Sequence, residues 1–413
     1  MMKKVFYFSL IFAFAITINS CDKSDDSEPS FFNLELKSQP ENGGSITVKN
    51  VDTESILTNF TNIPKGTNLQ IIAHTNSGYE FKYWIGSFRS TDTLVETTIT
   101  SDLDLTAVFD SIVGNPVRTN GVIRTEKSKL VNKNGEAVQL RGMSLFWSQW
   151  IGKYYNQEAI DWLVEDWNIE IIRASMGVEA DGGYIENKSE MQKIETVIDA
   201  AINNGIYVII DWHSHHAEDY VDEAVDFFSQ ISMRYGDKPN IIYEIYNEPL
   251  QVSWKNVLKP YSEKVIAAIR NNDPDNLIVV GTPNWSQNVD DVIGNEIADD
   301  NVAYTFHFYA SEEAHYLYLR DKVSKAIAKD IPIFITEWGV SEASGTGDFN
   351  KDWTNEWLTF IDTHGLSWCN WSIADKDETS AALIPNAPEN GGWTLDHLSE
   401  SGKFIREILT ESN

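Results

Sequence analysis

Cysteine is nearly absent from this sequence: 413 residues hold two, Cys21 and Cys369. A disulfide framework of the kind that staples small secreted domains is thereby excluded as the basis of the fold. Positive charge is scarce as well, with 32 Lys and Arg against 62 Asp and Glu and a formal net charge of −30. Nucleic acids and anionic membrane surfaces need basic patches, so neither suits this chain as a ligand, whereas a neutral polymer does. A glycine-rich phosphate loop is also missing, which removes the usual mark of a doubly wound nucleotide-binding sheet. What is present is apolar and aromatic. Apolar residues make up 42%, with 14 Trp, 16 Tyr and 19 Phe. That is enough for a large core plus an accessory module.

The first 21 residues, "MMKKVFYFSLIFAFAITINSC", place Lys3 and Lys4 before an apolar run from Val5 to Ile18, then small residues and Cys21. This reads as an export signal rather than a fold element. It resembles a bacterial lipoprotein leader over residues 1–20, which implies that Cys21 becomes the acylated first residue of the mature chain. The next stretch, "DKSDDSEPS", is a polar acidic tether ending at residue 30. It resembles the signal that sends some lipoproteins to the cell surface, so an outer-membrane lipoprotein facing outward is expected. With Cys21 acylated, Cys369 is left as a buried free thiol.

Residues 31–110 read as short strands, "GSITV", "NLQIIAHT", "YEFKYWIG" and "DLTAVF", separated by Gly, Pro and Asn turns. "GYEFKYW" followed by "LDLTAVF" resembles the internalin-type B repeats of bacterial surface proteins, implying a spacer or adhesion module. Tyr83 and Trp84 are read as core, with carbohydrate binding as the alternative. Residues 111–120 look like a linker. From 121 to 413 the pattern changes to eight apolar runs: "AVQLRGMSL", "IEIIRASM", "IYVIIDWH", "IIYEIYNEP", "NLIVVGTP", "NVAYTFHFY", "IPIFITEWG" and "LSWCNWSI". Most are separated by amphipathic helical patterns such as "QEAIDWLVEDW"; the connection after the fifth is less clearly helical. Such alternation argues for an α/β fold with a parallel sheet, and eight units fit a (β/α)8 TIM barrel better than an open doubly wound sheet.

In such barrels the C-terminal strand ends carry the active site. Arg173 lies on the second run; the third ends in Asp211 and His213, the fourth in Asn247 and Glu248, the sixth in His307 and Tyr309, the seventh in Glu337, and the eighth carries Trp371. Trp285 follows the fifth. Glu248 and Glu337 would face one another across the mouth, among aromatic rings whose flat faces suit sugars. Two carboxyl groups flanking a bond, one protonated and one ionised, are what glycosidic hydrolysis needs. At close separation their charges repel, so one of the two is expected to hold a proton more tightly than the other. Glu244 shares strand parity with Glu248 and should point inward one layer deeper, with Arg173 as its partner.

These residues stand within longer stretches, "VQLRGMS", "GGYI", "YVIIDWH", "IIYEIYNEP", "YTFHFYA", "TEWGVSEASG" and "LSWCNWSIADKDETSAAL". Over roughly residues 130–408 the chain resembles glycoside hydrolase family 5, in its bacterial endo-β-1,4-glucanase (cellulase) branch. The resemblance implies a retaining hydrolase without cofactor or metal, with Glu248 as general acid/base, its pKa raised by the nearby charge, and Glu337 as the ionised nucleophile. By the same resemblance Asn247 would bond the sugar 2-hydroxyl, Arg173 and Tyr309 would orient Glu337, and His307 would sit beside Glu248. His213, Trp150 and Trp371 would line the glycone side, Trp285 the leaving-group side, and Lys376 and Glu378 would grip hydroxyls one sugar further out. The implied partner is a β-glucan polysaccharide, acted on by a monomer that meets the membrane only through its lipid.

Two positions depart from that branch: Phe146 stands where a His is usual and Gly177 where a Tyr is usual. Gly177 is expected to open space beside the reactive sugar. Xyloglucan, mixed-linkage glucan or mannan thus stay open as alternative substrates. Two other readings compete with hydrolysis. "HSHH" could place His213, His215 and His216 around a metal, although two of the three lie past the strand end. A surface glycan-binding protein could keep the aromatic cleft without the chemistry, although both carboxylates are retained here.

Overall fold

The computed structural model describes residues 30–411 apart from Ser77 and Val113. The leader, Cys21 and the acidic tether up to residue 29 lie outside the described residues, as does the lipidation expected there. The chain divides after Ser111 into two compact units. Among the described residues no helix is long and apolar enough to cross a membrane.

The first unit is built from two three-stranded sheets. One pairs Leu34–Gln39 with Leu103–Ser111 and Tyr79–Gly86; the other pairs Gly44–Asn50 with Asn68–Thr75 and Leu94–Thr98. Strict alternation explains the shared core: Leu69, Ile71 and Ala73 of one strand point in with Val48, Leu105 and Phe109, while their neighbours face solvent. Trp84 is fully buried, and its indole N–H donates to the Asp92 carbonyl at 3.0 Å, so it is a core residue. Tyr83, on the opposite face, is half-buried with the Arg89 guanidinium 4.6 Å above its ring.

The second unit is a closed barrel of eight parallel strands: β1 (Arg141–Leu145), β2 (Ile171–Gly177), β3 (Tyr207–His213), β4 (Ile241–Glu244), β5 (Leu277–Val280), β6 (Val302–Tyr309), β7 (Ile333–Gly339) and β8 (Trp368–Ile373). Apart from Arg141, every residue of these strands is buried, which is why they read as continuous apolar runs rather than alternating ones. Around them lie α1 (Gln157–Trp167), α2 (Glu190–Asn204), α3 (Val221–Tyr235), α4 (Lys259–Arg270), α5 (Glu313–Ile327), α6 (Lys351–His364) and α7 (Glu400–Glu411). In α1 the apolar stripe Ala159, Ile160, Leu163 and Trp167 faces the core; Asn156 caps the start by accepting the Ala159 N–H at 2.8 Å, and Asn168 ends it at φ 61°. After β5 the chain makes only the short turns Pro283–Ser286 and Val289–Val292, in keeping with the weak helical pattern there.

The stretch read as a linker is in part barrel floor. Pro116–Asn120 form a short helix whose Val117 packs with Ile123, Leu130, Ile171 and Ile209 beneath the strands, and Tyr207 donates its hydroxyl to the Gly121 carbonyl at 2.6 Å. Its polar look comes from Asn115, which caps the turn by accepting the Arg118 N–H. Cys369 belongs to the same floor cluster and is a free, buried thiol.

Candidate active site

Two residues beyond the floor layer the inward positions change character: Ile171 is followed by Arg173, Ile209 by Asp211, and Ile242 by Glu244. Arg173 is the hub. It is fully buried and donates through Nε to Glu244 Oε2 at 2.7 Å, through Nη1 to Glu337 Oε2 at 2.9 Å, and through Nη2 to Asn247 Oδ1 at 2.7 Å; Asp211 Oδ2 stands 2.9 Å from Nη2. Glu244 thus has the partner expected for it. One guanidinium cannot balance three buried carboxylates, so further protons must reside in the cluster. Burial pushes Asp211 well above the usual carboxylate range despite Arg173, and a 2.6 Å bond joins it to His213 Nδ1. His213 is held well down by burial and by the Arg173 charge, so its ring is neutral.

Glu337 sits on β7 where the register with both neighbours shifts. That irregularity turns consecutive residues toward the barrel interior. Glu337 accepts from Arg173 and from the Tyr309 hydroxyl at 2.8 Å, while Thr336 donates to Glu244 Oε1 at 2.6 Å. Thr336 Oγ1 having given its proton to Glu244, its oxygen must accept from His307 Nε2, 2.8 Å away. His307 Nδ1 then faces Glu248 Oε1 at 2.9 Å. The ladder of β4 stops at Glu244, and Glu248 is positioned by its own N–H donating to the Ser214 carbonyl at 3.2 Å. Ligating atoms of Glu248, His307 and Glu337 all lie within 4.8 Å of one another.

The charges follow from these contacts. Burial alone would raise the Glu248 carboxyl, but the donors His215 and His307 outweigh it and bring the group down to about 2. His307 is pushed up to about 9, because burial is outweighed by the Glu244 and Glu248 carboxylates. An imidazolium donating from both nitrogens fits both of its hydrogen bonds. Glu337 is raised by burial and by the Glu248 charge, against His307, Arg173 and Tyr309. The expectation that Glu248 itself holds the raised pKa is therefore not met: two imidazoles, only one of them foreseen, compete with it for the proton.

Trp371 lies parallel to His213 with ring centroids 5.4 Å apart, and Trp150, 54% exposed, stacks on Trp147 at 4.8 Å. Lys376 pairs with Glu378 and hangs 4.4 Å above the Phe146 ring. Across the carboxylates, Trp285, His215 and His315 line a cavity of about 430 Å³ with Glu248. Asn284, Trp285 and Ser286 all have left-handed φ of 55–58°, which presents Trp285 39% exposed. Ser286 holds the turn by donating to the Asn247 carbonyl at 2.8 Å.

This constellation can be set beside known proteins. Residues 131–377 match the family described as cellulase (glycosyl hydrolase family 5). The chain belongs to glycosyl hydrolase family 5. Residues 34–113 match the divergent InlB B-repeat domain. Endoglucanase N of Pectobacterium atrosepticum is 42% identical over 315 residues, 75% of this chain and 70% of that one. Endoglucanase A of Evansella cellulosilytica is 48% identical over 283 residues, 67% of this chain but only 57% of its relative's length. Among solved structures, the catalytic domain of endoglucanase Cel5A of Thermobifida fusca is 32% identical, with a TM-score of 0.69 over 72% of this chain and 99% of that one.

Within this family 5 site the structure collects at one barrel mouth the residues singled out beforehand as catalytic or sugar-binding, and adds several; Cys21 lies outside the described residues. Trp147 packs edge-on against His213 at 4.2 Å; it is visible in "FWSQW" only as one more aromatic. The "HSHH" run does not converge on one point, since His213 meets Asp211 and His215 meets Glu248 at 3.3 Å. A cation between Glu248, His307 and Glu337 would have to displace the Arg173 and imidazole donors already there. Gly177 opens no space: a Cβ there would lie 2.0 Å from Gln149 Oε1, so the Gln149 amide occupies that volume. Phe146 is a buried strut, its ring 5.1 Å from that of Trp371.

Proposed function

We propose that this family 5 chain is an endo-acting β-1,4-glucanase that cleaves cellulose or related β-glucans with retention of configuration. One observation carries the mechanism: one carboxylate oxygen of Glu248 and one of Glu337 lie within 4.8 Å of each other. Retaining glycosidases need about 5–5.5 Å and inverting ones roughly 6.5–9.5 Å. Glu337, oriented by Arg173 and Tyr309, attacks the anomeric carbon while the bond to the leaving sugar breaks and Glu248 gives that oxygen a proton. Glu248 then takes a proton from water, whose oxygen displaces Glu337. Asn247 bonds the 2-hydroxyl. Trp150 and Trp371 carry glycone rings, with Lys376 and Glu378 beyond them, and Trp285 carries the leaving-group side. NMR of the first-formed sugar tests this: a β-anomer is expected, and an α-anomer refutes the mechanism. Relative kcat/KM on carboxymethyl cellulose, lichenan, xyloglucan and glucomannan fixes the preferred glucan.

The basic leader, apolar run and Cys21 support a lipid-anchored enzyme at the outer membrane. Cys21→Ser should move the protein from the membrane to the soluble fraction or block its processing; identical fractionation of the two refutes the anchor.

A further inference from the structure

Both oxygens of Glu248 carry a donor. Oε1 receives His307 Nδ1, and Oε2 stands 3.3 Å from His215 Nε2. A glycosidic oxygen can be protonated only from one of these two. His307 is buried with both nitrogens bonded inside the network, so its protons exchange with solvent less readily than one on an exposed ring. His215 is different. Its side chain is 36% exposed and faces the cavity on the leaving-group side. Its backbone is nevertheless fixed at both ends: the N–H donates to Glu179 Oε1 at 2.8 Å, and the carbonyl accepts the Tyr246 hydroxyl at 3.0 Å.

Building on the functional reading above, we infer that His215 is the proton store of the acid/base: it holds the acid proton between turnovers and passes it to Glu248 Oε2 as the leaving sugar enters. The step balances, because imidazolium plus carboxylate become imidazole plus carboxylic acid, and the proton then leaves with the sugar. Water returns a proton to Glu248 during the second displacement, and the carboxyl passes it back to His215.

The surroundings keep this ring charged. Glu248 faces it from the end of β4, Glu179 from the loop after β2, and Glu337 from β7, all carboxylates. Glu179 Oε2 is buried without a hydrogen-bond partner, so its charge is little screened. His213 at the end of β3 is neutral and His307 beyond Glu248 is an imidazolium, while the Tyr246 hydroxyl meets the His215 carbonyl and Tyr309 and His315 line the same cavity. Burial lowers the His215 pKa, but the bond and charge of Glu248 together with Glu179 raise it above the ordinary imidazole value.

The test is the pH dependence of kcat/KM for cellopentaose in wild type, His215→Ala and His215→Gln. The wild-type alkaline limb should fall above the ordinary histidine value. Both substitutions should bring it down by about two pH units, the gap between imidazole and carboxyl, because only Glu248 then holds the proton. Gln retains an N–H donor of similar reach, so a ring that merely orients Glu248 would be rescued by Gln with its limb in place. The glycosylation rate for 2,4-dinitrophenyl cellobioside, whose leaving group needs no proton, should show no such shift. A limb that stays put in His215→Gln overturns the inference. If wild type releases no sugar from β-glucan at all, the functional reading fails instead.

Discussion

The two ends of the barrel strands obey opposite rules. At the floor, Ile171, Ile209, Ile242, Val279 and Phe334 close the interior with hydrocarbon. At the mouth the same strands bury Arg173, Asp211, Glu244 and Glu337. Floor burial favours folding at roughly 25 cal/mol per Å² of apolar surface. The mouth, by contrast, removes charges from water, which costs stability unless each is paired. The difference teaches that the floor exists to be stable and the mouth to hold charges where solvent would not leave them. Substitutions should therefore separate: those at the mouth lose rate, and those at the floor lose stability.

The largest effect is expected from Glu337→Gln, which removes the proposed nucleophile and should lower kcat on every substrate by on the order of 10⁴-fold or more. A thermal melt near that of wild type would show the loss to be chemical. Next comes Glu248→Gln, with a loss of about 10²–10⁴-fold on cello-oligosaccharides. Its glycosylation step should survive on dinitrophenyl glycosides, and azide should then yield a β-glycosyl azide. If unactivated and activated substrates lose equally, Glu248 is not the acid. At the other end, Ile209→Ala should cost about 2–5 kcal/mol of stability in urea unfolding and leave kcat per folded molecule unchanged. A large fall in kcat there would break the contrast between floor and mouth.

The smallest effect is a matter of pH. Activity should fall on the acid side where Glu337 takes a proton, above the usual glutamate value because burial and the Glu248 charge raise it. On the alkaline side it should fall no later than about 9, where His307 loses one of the two protons with which it holds Glu248 and Thr336 at once. A kcat/KM profile still flat above that pH would remove His307 from the charge network.

Much of this was readable beforehand, and the reason differs from residue to residue. The eight strands show as doubly buried apolar runs because a parallel barrel leaves no face for polar residues, so the carboxylates that interrupt those runs stand out. Glu244 follows from parity alone: four residues before Glu248, it had to point inward and find a cation. The floor helix at 116–120 was hidden because a five-residue turn with one buried valine has too little periodicity to distinguish it from a linker.

Sequence by itself thus determined the number and order of strands, the identity of the two glutamates and the aromatic wealth of the cleft, since each is a property of one segment and its period. Only the tertiary structure decided how those segments meet. The register shifts of β7 with its neighbours bring Thr336 and Glu337 into the same interior. The bond from the Glu248 N–H to the Ser214 carbonyl draws the loop after β3 inward, carrying His215 onto the Glu248 carboxylate. Gln149 fills the volume beside Gly177. The state of each proton follows from those meetings, because a pKa in this site is set by distances between groups on different strands, and no local pattern along the chain encodes them.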